Sequence, residues 1–495
     1  MTLHSRQAYL RLLVAATVTL AFAFANAQTV TTFAVPTSVL TSTAISVDPS
    51  LLSISIEFFA FPGYTELSGT TMCLANIQTL RGAAPAVRIG GTTQDRASYD
   101  ASLSAAVNYT IAVPGDAPES LTYGPSFFSL ANELPGDVTI GLNRQLNNIS
   151  NTQDAAEQAV KGVRGLLALE LGNEPEFYAA GSPIIPPGEG WSPTTDAASQ
   201  KGWFSSISSS VGNIFQAAVY LQYPTWSTTG LIPLLGDAIT FVKTFSGHSY
   251  PQSACGGAAT NLETLMSHSG IVSYTKQYST EANSAHARGK RYFLGETNSA
   301  TCGGGGISPT FGAGLWVMDY VLQGALAGVD RLYFHQGTIG NCAYCFWGED
   351  SVLAPYYGAF FVSDFLGSSP KTRLTMIDSG DSSIGAYAVF SGSSGPPARV
   401  LLYNSEYFSG LGIRSVVNIT LTDLGSDLEI VSVKRMTAPN ATSLAGAGVT
   451  IGGGGTFSDE CAATGTQALE VISASGGMAE VSLHASEAVI VYLSI

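Results

Sequence analysis

Charge is scarce in this sequence, and positive charge scarcest. Of 495 residues only 12% are Asp, Glu, Lys or Arg, and 21 basic residues face 36 acidic ones for a formal net charge of −15. A chain so poor in cations has no basic face to lay against a polyphosphate or an anionic bilayer, so no nucleic acid and no membrane is expected as a partner. Low charge beside 45% apolar residues also excludes disorder, because that much apolar side chain can bury a sizeable core. Metal-ligand patterns are missing too. Cys342-Ala343-Tyr344-Cys345 has zinc-type spacing, but no second pair and no His cluster completes a site. The glycine runs Gly303–Gly306 and Gly452–Gly455 lack a following Lys-Ser/Thr and read as loops rather than phosphate cradles. The expectation is a globular protein without fixed-period repeats, with no metal and no cofactor.

What is present begins with a secretion signal. His4, Arg6 and Arg11 precede an apolar run from Leu12 to Phe24, and Ala25-Asn26-Ala27 has the small-x-small form of a cleavage site. That run falls short of the ~20 residues that span a bilayer, so residues 1–27 are read as a signal peptide and the protein as secreted. Four N-glycosylation triplets, starting at Asn108, Asn148, Asn418 and Asn440, and six cysteines suit an extracellular, oxidising compartment. Sequence leaves the disulfide connectivity open; a bridge from Cys302 to Cys342 or Cys345 is the expected one.

Apolar, β-rich bursts recur through the first three quarters of the chain. Strands are predicted at Leu51–Glu57, Ala86–Ile89, Asp137–Leu142, Leu166–Leu171, Ala218–Tyr223, Ile239–Phe245, Arg291–Leu294 and Arg331–Phe334. Helical patterns fall between them at Asn151–Val163, Asn261–His286 and Phe311–Gly328. This alternation is that of an α/β fold, a (β/α)8 TIM barrel over residues 50–365. After Leu366 helical periodicity fades, and short strands punctuated by Gly, Ser and Thr predict a C-terminal antiparallel β-sandwich over 366–495. The segment 28–49, rich in β-branched residues, is expected to pair with that sandwich.

Two of the predicted barrel strands end in glutamates. Leu169-Glu170-Leu171-Gly172-Asn173-Glu174-Pro175-Glu176 closes the fourth, and Tyr292-Phe293-Leu294-Gly295-Glu296-Thr297-Asn298 closes the seventh. Residues at the C-terminal ends of barrel strands face one shared pocket. A carboxyl pair there is what glycoside hydrolysis needs: one group protonates the departing oxygen while the other attacks the anomeric carbon or activates water. A retaining pair is expected roughly 5–5.5 Å apart. An unperturbed Glu is mostly ionised near neutrality, so the acid partner requires a raised pKa. Asn-Glu-Pro alone is also a common helix-start signal; it is the combination that points to catalysis. Glu170, inside its strand, and Glu176, beyond the proline, are read as structural.

At these residues the chain resembles the clan A (β/α)8 glycosidases, and within them glycoside hydrolase family 79, the β-glucuronidases and heparanase. Asp48–Glu57, Val87-Arg88-Ile89-Gly90-Gly91-Thr92, His248-Ser249-Tyr250, Gly295–Ser299, Leu315–Tyr320 and the Gln336-to-Tyr344 spacing carry the likeness. It implies that Glu174 is the acid/base and Glu296 the nucleophile of a retaining mechanism. It also implies that Glu57, Thr92 and Asn173 hold sugar hydroxyls, that Tyr250, Gln336 and Tyr344 line the sugar pocket with Tyr344 near a glucuronate carboxylate, and that His248 is a positioning group. The implied substrate is a glycan or proteoglycan carrying β-linked glucuronic acid, possibly 4-O-methylated, attacked from its end. An endo-acting, heparanase-like enzyme and a catalytically silent carbohydrate-binding barrel are the competing readings. One departure stands out: Ser299-Ala300-Thr301-Cys302 lies where the family pattern carries a tyrosine, so Thr301 lacks the phenol expected to help hold the carboxylate.

Overall fold

The chain folds around eight parallel strands that close into a barrel: Leu52–Glu57, Val87–Gly90, Val138–Leu142, Leu166–Leu171, Phe215–Tyr220, Val242–Ser249, Arg291–Thr297 and Arg331–Gln336. The eighth pairs with the first in the register Tyr333↔Ser53 to close the ring. The computed structural model describes residues 30–39, 43–113 and 115–493; the expected signal peptide, 1–27, lies outside them.

Two strands are displaced from their predicted positions. The fifth begins at Phe215 and ends at Tyr220, and the sixth begins only at Val242, because the apolar stretch around Ile239 is a 3-10 turn, Gly236–Phe241. The seventh and eighth run further than expected and carry Glu296 and Gln336 within the strand. The predicted helix Asn261–His286 is three helices, Leu262–Met266, His268–Thr275 and Gln277–His286; Ser267 breaks it first, its side chain capping Gly270 N.

The barrel interior is polar. Arg88, Glu170, Gln216 and Thr244, from strands two, four, five and six, form a buried relay: Arg88 Nη2 donates to Glu170 at 2.6 Å, Gln216 Nε2 to Glu170 at 2.7 Å, and Thr244 Oγ1 to Gln216 at 3.0 Å. Each of these four side chains has a buried polar partner, which is the condition for such a relay to be tolerated.

Residues 373–492 form the second domain, an antiparallel β layer structure with its own core. Val400, Leu402, Ile419, Val433, Val481 and Val491 meet inside it. In the strand Ile384–Phe390 every residue is buried, for a reason that alternation explains. Ala386 and Ala388 face that core, while Tyr387 and Val389 belong to the barrel's. Helices Phe311–Leu326 and Ala354–Leu366 are caught between the two domains and buried nearly all round. They touch backbone to backbone, since a Cβ on Gly358 would strike the Gly314 carbonyl. The N-terminal segment does return to this domain. Val30–Ala34 pairs parallel with Val416–Thr422, and Ile45–Ser46 antiparallel with Arg373–Met376. The disulfide Cys73–Cys461 ties the barrel helix Ser68–Arg81 to the same domain.

Candidate active site

The C-terminal ends of the strands enclose a cavity of about 980 Å³ whose wall includes Glu57, Glu174, His248, Tyr250, Glu296 and Tyr344. One carboxylate oxygen of Glu174, one of Glu296 and a ring nitrogen of His248 all lie within 4.8 Å of one another. The two carboxyl groups therefore share one end of the cavity, close enough for both to reach a single glycosidic bond.

Glu174 is held by strained backbone. It precedes the 3-10 turn Pro175–Phe177 with φ 44° and ψ 59°, and its N–H donates to Val219 O at 3.1 Å. Val219 and Ala218 also have positive φ, 66° and 75°. Such angles cost about 1–3 kcal/mol each for non-glycine residues and persist only where surrounding contacts impose them. Here they aim the Glu174 side chain into the cavity, where Oε1 shares a hydrogen bond with His248 Nδ1 at 2.9 Å. Behind it, Asp95 accepts from Asn173 N at 2.7 Å, Tyr178 Oη at 2.7 Å and Arg144 N at 2.9 Å, joining the loops after strands two, three and four.

Glu296 is a fixed carboxylate. Oε2 accepts from Arg88 Nη1 at 2.7 Å and Oε1 from Tyr250 Oη at 2.7 Å, and His335 Nδ1 stands 3.8 Å from Oε2. Burial alone would push this carboxyl up, but His335, His248, Arg88 and the Tyr250 hydroxyl outweigh it and hold it well below the usual carboxylate range. His335 moves the other way: against its burial, Glu296 and Glu57 raise it. Tyr250 and Tyr344 are driven well above ordinary phenols by burial and by Glu296, so both stay protonated donors.

The remaining expected site residues divide. Glu57 lines the cavity, but one oxygen already accepts from Thr93 N at 3.0 Å and from Thr93 Oγ1. Its neighbour Gly91, at φ 113°, leaves room for that carboxylate where a Cβ would collide with it. Thr92 is exposed on the cavity wall. Asn173 is buried and its Oδ1 is occupied by Arg88 Nη2 at 2.7 Å, which orients the amide. Gln336 is a correction: it is fully buried, accepting from Phe346 N at 2.7 Å and donating to Trp347 O at 3.3 Å, so it ties down the loop bearing Tyr344 rather than meeting a ligand. Glu170 and Glu176 stand outside the carboxyl pair. Glu170 neutralises Arg88; Glu176 accepts from the amides of Leu221 and Gln222, and burial with nearby Glu174 pushes it up to about 7.

The expected bridge from Cys302 to Cys342 or Cys345 is not formed. Cys302 pairs with Cys255, and Cys342 with Cys345. The loops after strands six and seven run side by side, Gln252–Ser253 pairing with Ala300–Thr301, and this brings Cys255 to Cys302. Thr301 accordingly bonds to Ser253 Oγ at 2.9 Å.

Two further residues complete the site without a motif of their own. Arg88 and His335 each sit in a strand otherwise suited to complete burial. That was the available signal, since a buried arginine demands carboxylate partners. Geometry also lets Glu174, His248 and Glu296 act as three ligands to a cation, but Arg88 already occupies Glu296.

A parallel barrel with two opposed carboxylates on strands four and seven defines a glycoside hydrolase. The profile of the Glycosyl hydrolase family 79 C-terminal beta domain matches residues 386–490. A β-glucuronidase of Aspergillus niger is 31% identical over 396 residues, 72% of this chain and 72% of that protein. One of Neurospora crassa is 29% identical over 503 residues, 83% and 87% of the two chains. The crystal structure of a 4-O-α-L-rhamnosyl-β-D-glucuronidase from Fusarium oxysporum 12S, a Rha-GlcA complex, superposes with a TM-score of 0.88 at 44% identity, covering 93% of this chain and all of that one. The chain belongs to glycoside hydrolase family 79.

Proposed function

We propose that this protein is a secreted, retaining β-glucuronidase acting from the chain end, releasing terminal glucuronic acid, bare or substituted at O4, from glycans. The observation that carries the reading is the approach of Glu174 and Glu296 to within 4.8 Å. Glu296, ionised, attacks the anomeric carbon; Glu174 gives its proton to the departing oxygen. Glu174, now a base, takes a proton from water, whose oxygen displaces Glu296 and restores the starting configuration. Arg88 and Tyr250 hold Glu296 in line for both displacements.

The sugar assignment draws on the relatives, two β-glucuronidases and a 4-O-α-L-rhamnosyl-β-D-glucuronidase. The neutral donors Tyr344 and Thr92 on the cavity wall suit a carboxylated sugar that must sit beside two catalytic carboxyls. Against an endo-acting enzyme of sulfated chains stands the wall's charge: Arg96 is its lone arginine beside three glutamates, a poor match for a polyanion. Secretion is supported by the expected signal peptide, by the disulfides, and by Asn108 and Asn148, which are exposed. The test is a panel of aryl β-glycosides, with the first-formed anomer followed by NMR. Glucuronide turnover above glucoside, xyloside and galactoside, with the β-anomer appearing first, is expected. Preference for a neutral sugar overturns the substrate, and the α-anomer overturns retention.

A further inference from the structure

The cavity is chemically lopsided. Around Glu296 its wall is polar, with Tyr250, His335 and Tyr344; on the Glu174 side, past His248, it carries the largely apolar Phe177, Leu221 and Tyr223. Phe177 is 53% and Tyr223 37% exposed. Neither takes part in the chemistry above, and large apolar side chains left open on a pocket wall mark a surface that a ligand covers.

These side chains are built onto the acid. Phe177 ends the turn that Glu174 begins, its N–H donating to Glu174 O at 2.9 Å. Between them Glu176 turns back, its Oε1 accepting from Leu221 N and, at 2.9 Å, from Gln222 N. That pins the loop after strand five to the loop carrying Glu174. The apolar wall thus keeps a fixed position relative to the carboxyl that protonates the departing oxygen, on the side where the leaving group must lie.

We propose that Phe177, Leu221 and Tyr223 form the leaving-group site, a platform that receives the apolar face of a neutral sugar ring attached to the departing oxygen. The inference rests on the glucuronidase reading and on Glu174 as acid/base. The same platform receives an acceptor in the reverse sense. A sugar hydroxyl bonds to the anomeric carbon of the glycosyl-enzyme, the ester bond to Glu296 breaks, and the hydroxyl proton passes to Glu174.

The experiment compares β-D-glucuronosyl-(1→6)-glucose with methyl β-D-glucuronide in wild type, Phe177→Ala, Tyr223→Ala and the double variant. The ratio of kcat/KM for disaccharide over methyl glycoside is expected to fall roughly 10-fold in the double variant, the effect of losing part of two aromatic contacts. Partition of the glycosyl-enzyme between added glucose and added methanol should shift against glucose by a similar factor. Equal loss on both substrates would make these residues supports of Glu174, and unchanged ratios would make them bystanders; either overturns the platform. Should wild type cleave neither glucuronide, the glucuronidase reading has failed. The two ratios are then measured with the methyl glycoside and disaccharide of the sugar it does cleave, so the platform is judged separately.

Discussion

Arg88 Nη1 lies 2.7 Å from Glu296 Oε2, while the other guanidinium nitrogen, Nη2, reaches Glu170 at 2.6 Å and Asn173 at 2.7 Å. One fully buried cation from strand two therefore helps keep Glu296 ionised, beside His335 and His248, and orients Asn173 next to Glu174.

The first prediction follows from that junction. Arg88→Lys keeps a cation but gathers its donors on one nitrogen, whereas the guanidinium reaches Glu170, Asn173, Ser55 and Glu296 from three. A lower kcat/KM is expected, by about 10²–10³-fold, the scale of losing one preorganised donor. Glu296 must be ionised to attack, and Arg88 helps hold its carboxyl low. The acid limb of the pH profile should therefore move to higher pH in the variant. An unmoved limb would remove Arg88 from control of the nucleophile.

The two carboxyls should fail differently. Glu296→Gln is expected to abolish turnover of every substrate, since no covalent intermediate forms. Glu174→Ala should spare substrates with good leaving groups, which need little protonation, and azide should partly restore it. Equal loss on all substrates without rescue would reverse or void the roles.

The two cavity tyrosines differ as well. Tyr250 donates to Glu296, so Tyr250→Phe should depress glucuronide and glucoside turnover alike. Tyr344→Phe should lower the glucuronide-to-glucoside ratio of kcat/KM, because a lost hydrogen bond to a charged group is worth about 1.5–3 kcal/mol, roughly 10- to 150-fold. A Tyr344→Phe enzyme with an unchanged ratio would leave carboxylate recognition to other groups.

A fourth prediction concerns the seam between domains. Buried His268 bonds through Nδ1 to Asp319 at 2.8 Å and through Nε2 to Asp378 of the β domain at 3.1 Å, with Tyr387 donating to the same Asp319. Burial would lower it, but the two aspartates push it up to about 10. A raised histidine adds stability that is complete below its unfolded value of about 6.5 and is lost as pH rises through about 10. His268→Gln should cost about 3–5 kcal/mol at pH 6. Thermal melts should show the gap to wild type shrinking by pH 10; a constant gap would mean that His268 is neutral throughout.

The barrel and the glutamate pair were legible in the sequence because both rest on local pattern. Apolar bursts mark buried parallel strands, and Asn173-Glu174-Pro175 and Gly295-Glu296 mark two strand ends. What stayed hidden depends on which loops meet. Cys255 reaches Cys302 only because Gln252–Ser253 lies along Ala300–Thr301. Gln336 lies where the family resemblance implies a sugar contact, yet its amide is consumed by a loop ten residues on. In the hairpin of Glu470–Ser475 and Met478–His484, Ala479, Val481 and Leu483 alternate with exposed neighbours. That period-2 pattern is local, and so legible in the residues themselves.

The pairing of Val30–Ala34 with Val416–Thr422 makes the barrel an insertion within the smaller domain, and this imposes an order of events on synthesis. The opening strand leaves the ribosome long before its neighbour exists, so it waits with both edges bare while the barrel closes. Cys73 waits likewise for Cys461, 388 residues downstream, whereas Cys255 and Cys342 find partners 47 and 3 residues away. A nascent chain halted just after the barrel would hold two unpartnered strands, Val30–Ala34 and Ile45–Ser46, and the unpartnered thiol of Cys73. Chaperones and oxidoreductases would meet those features first.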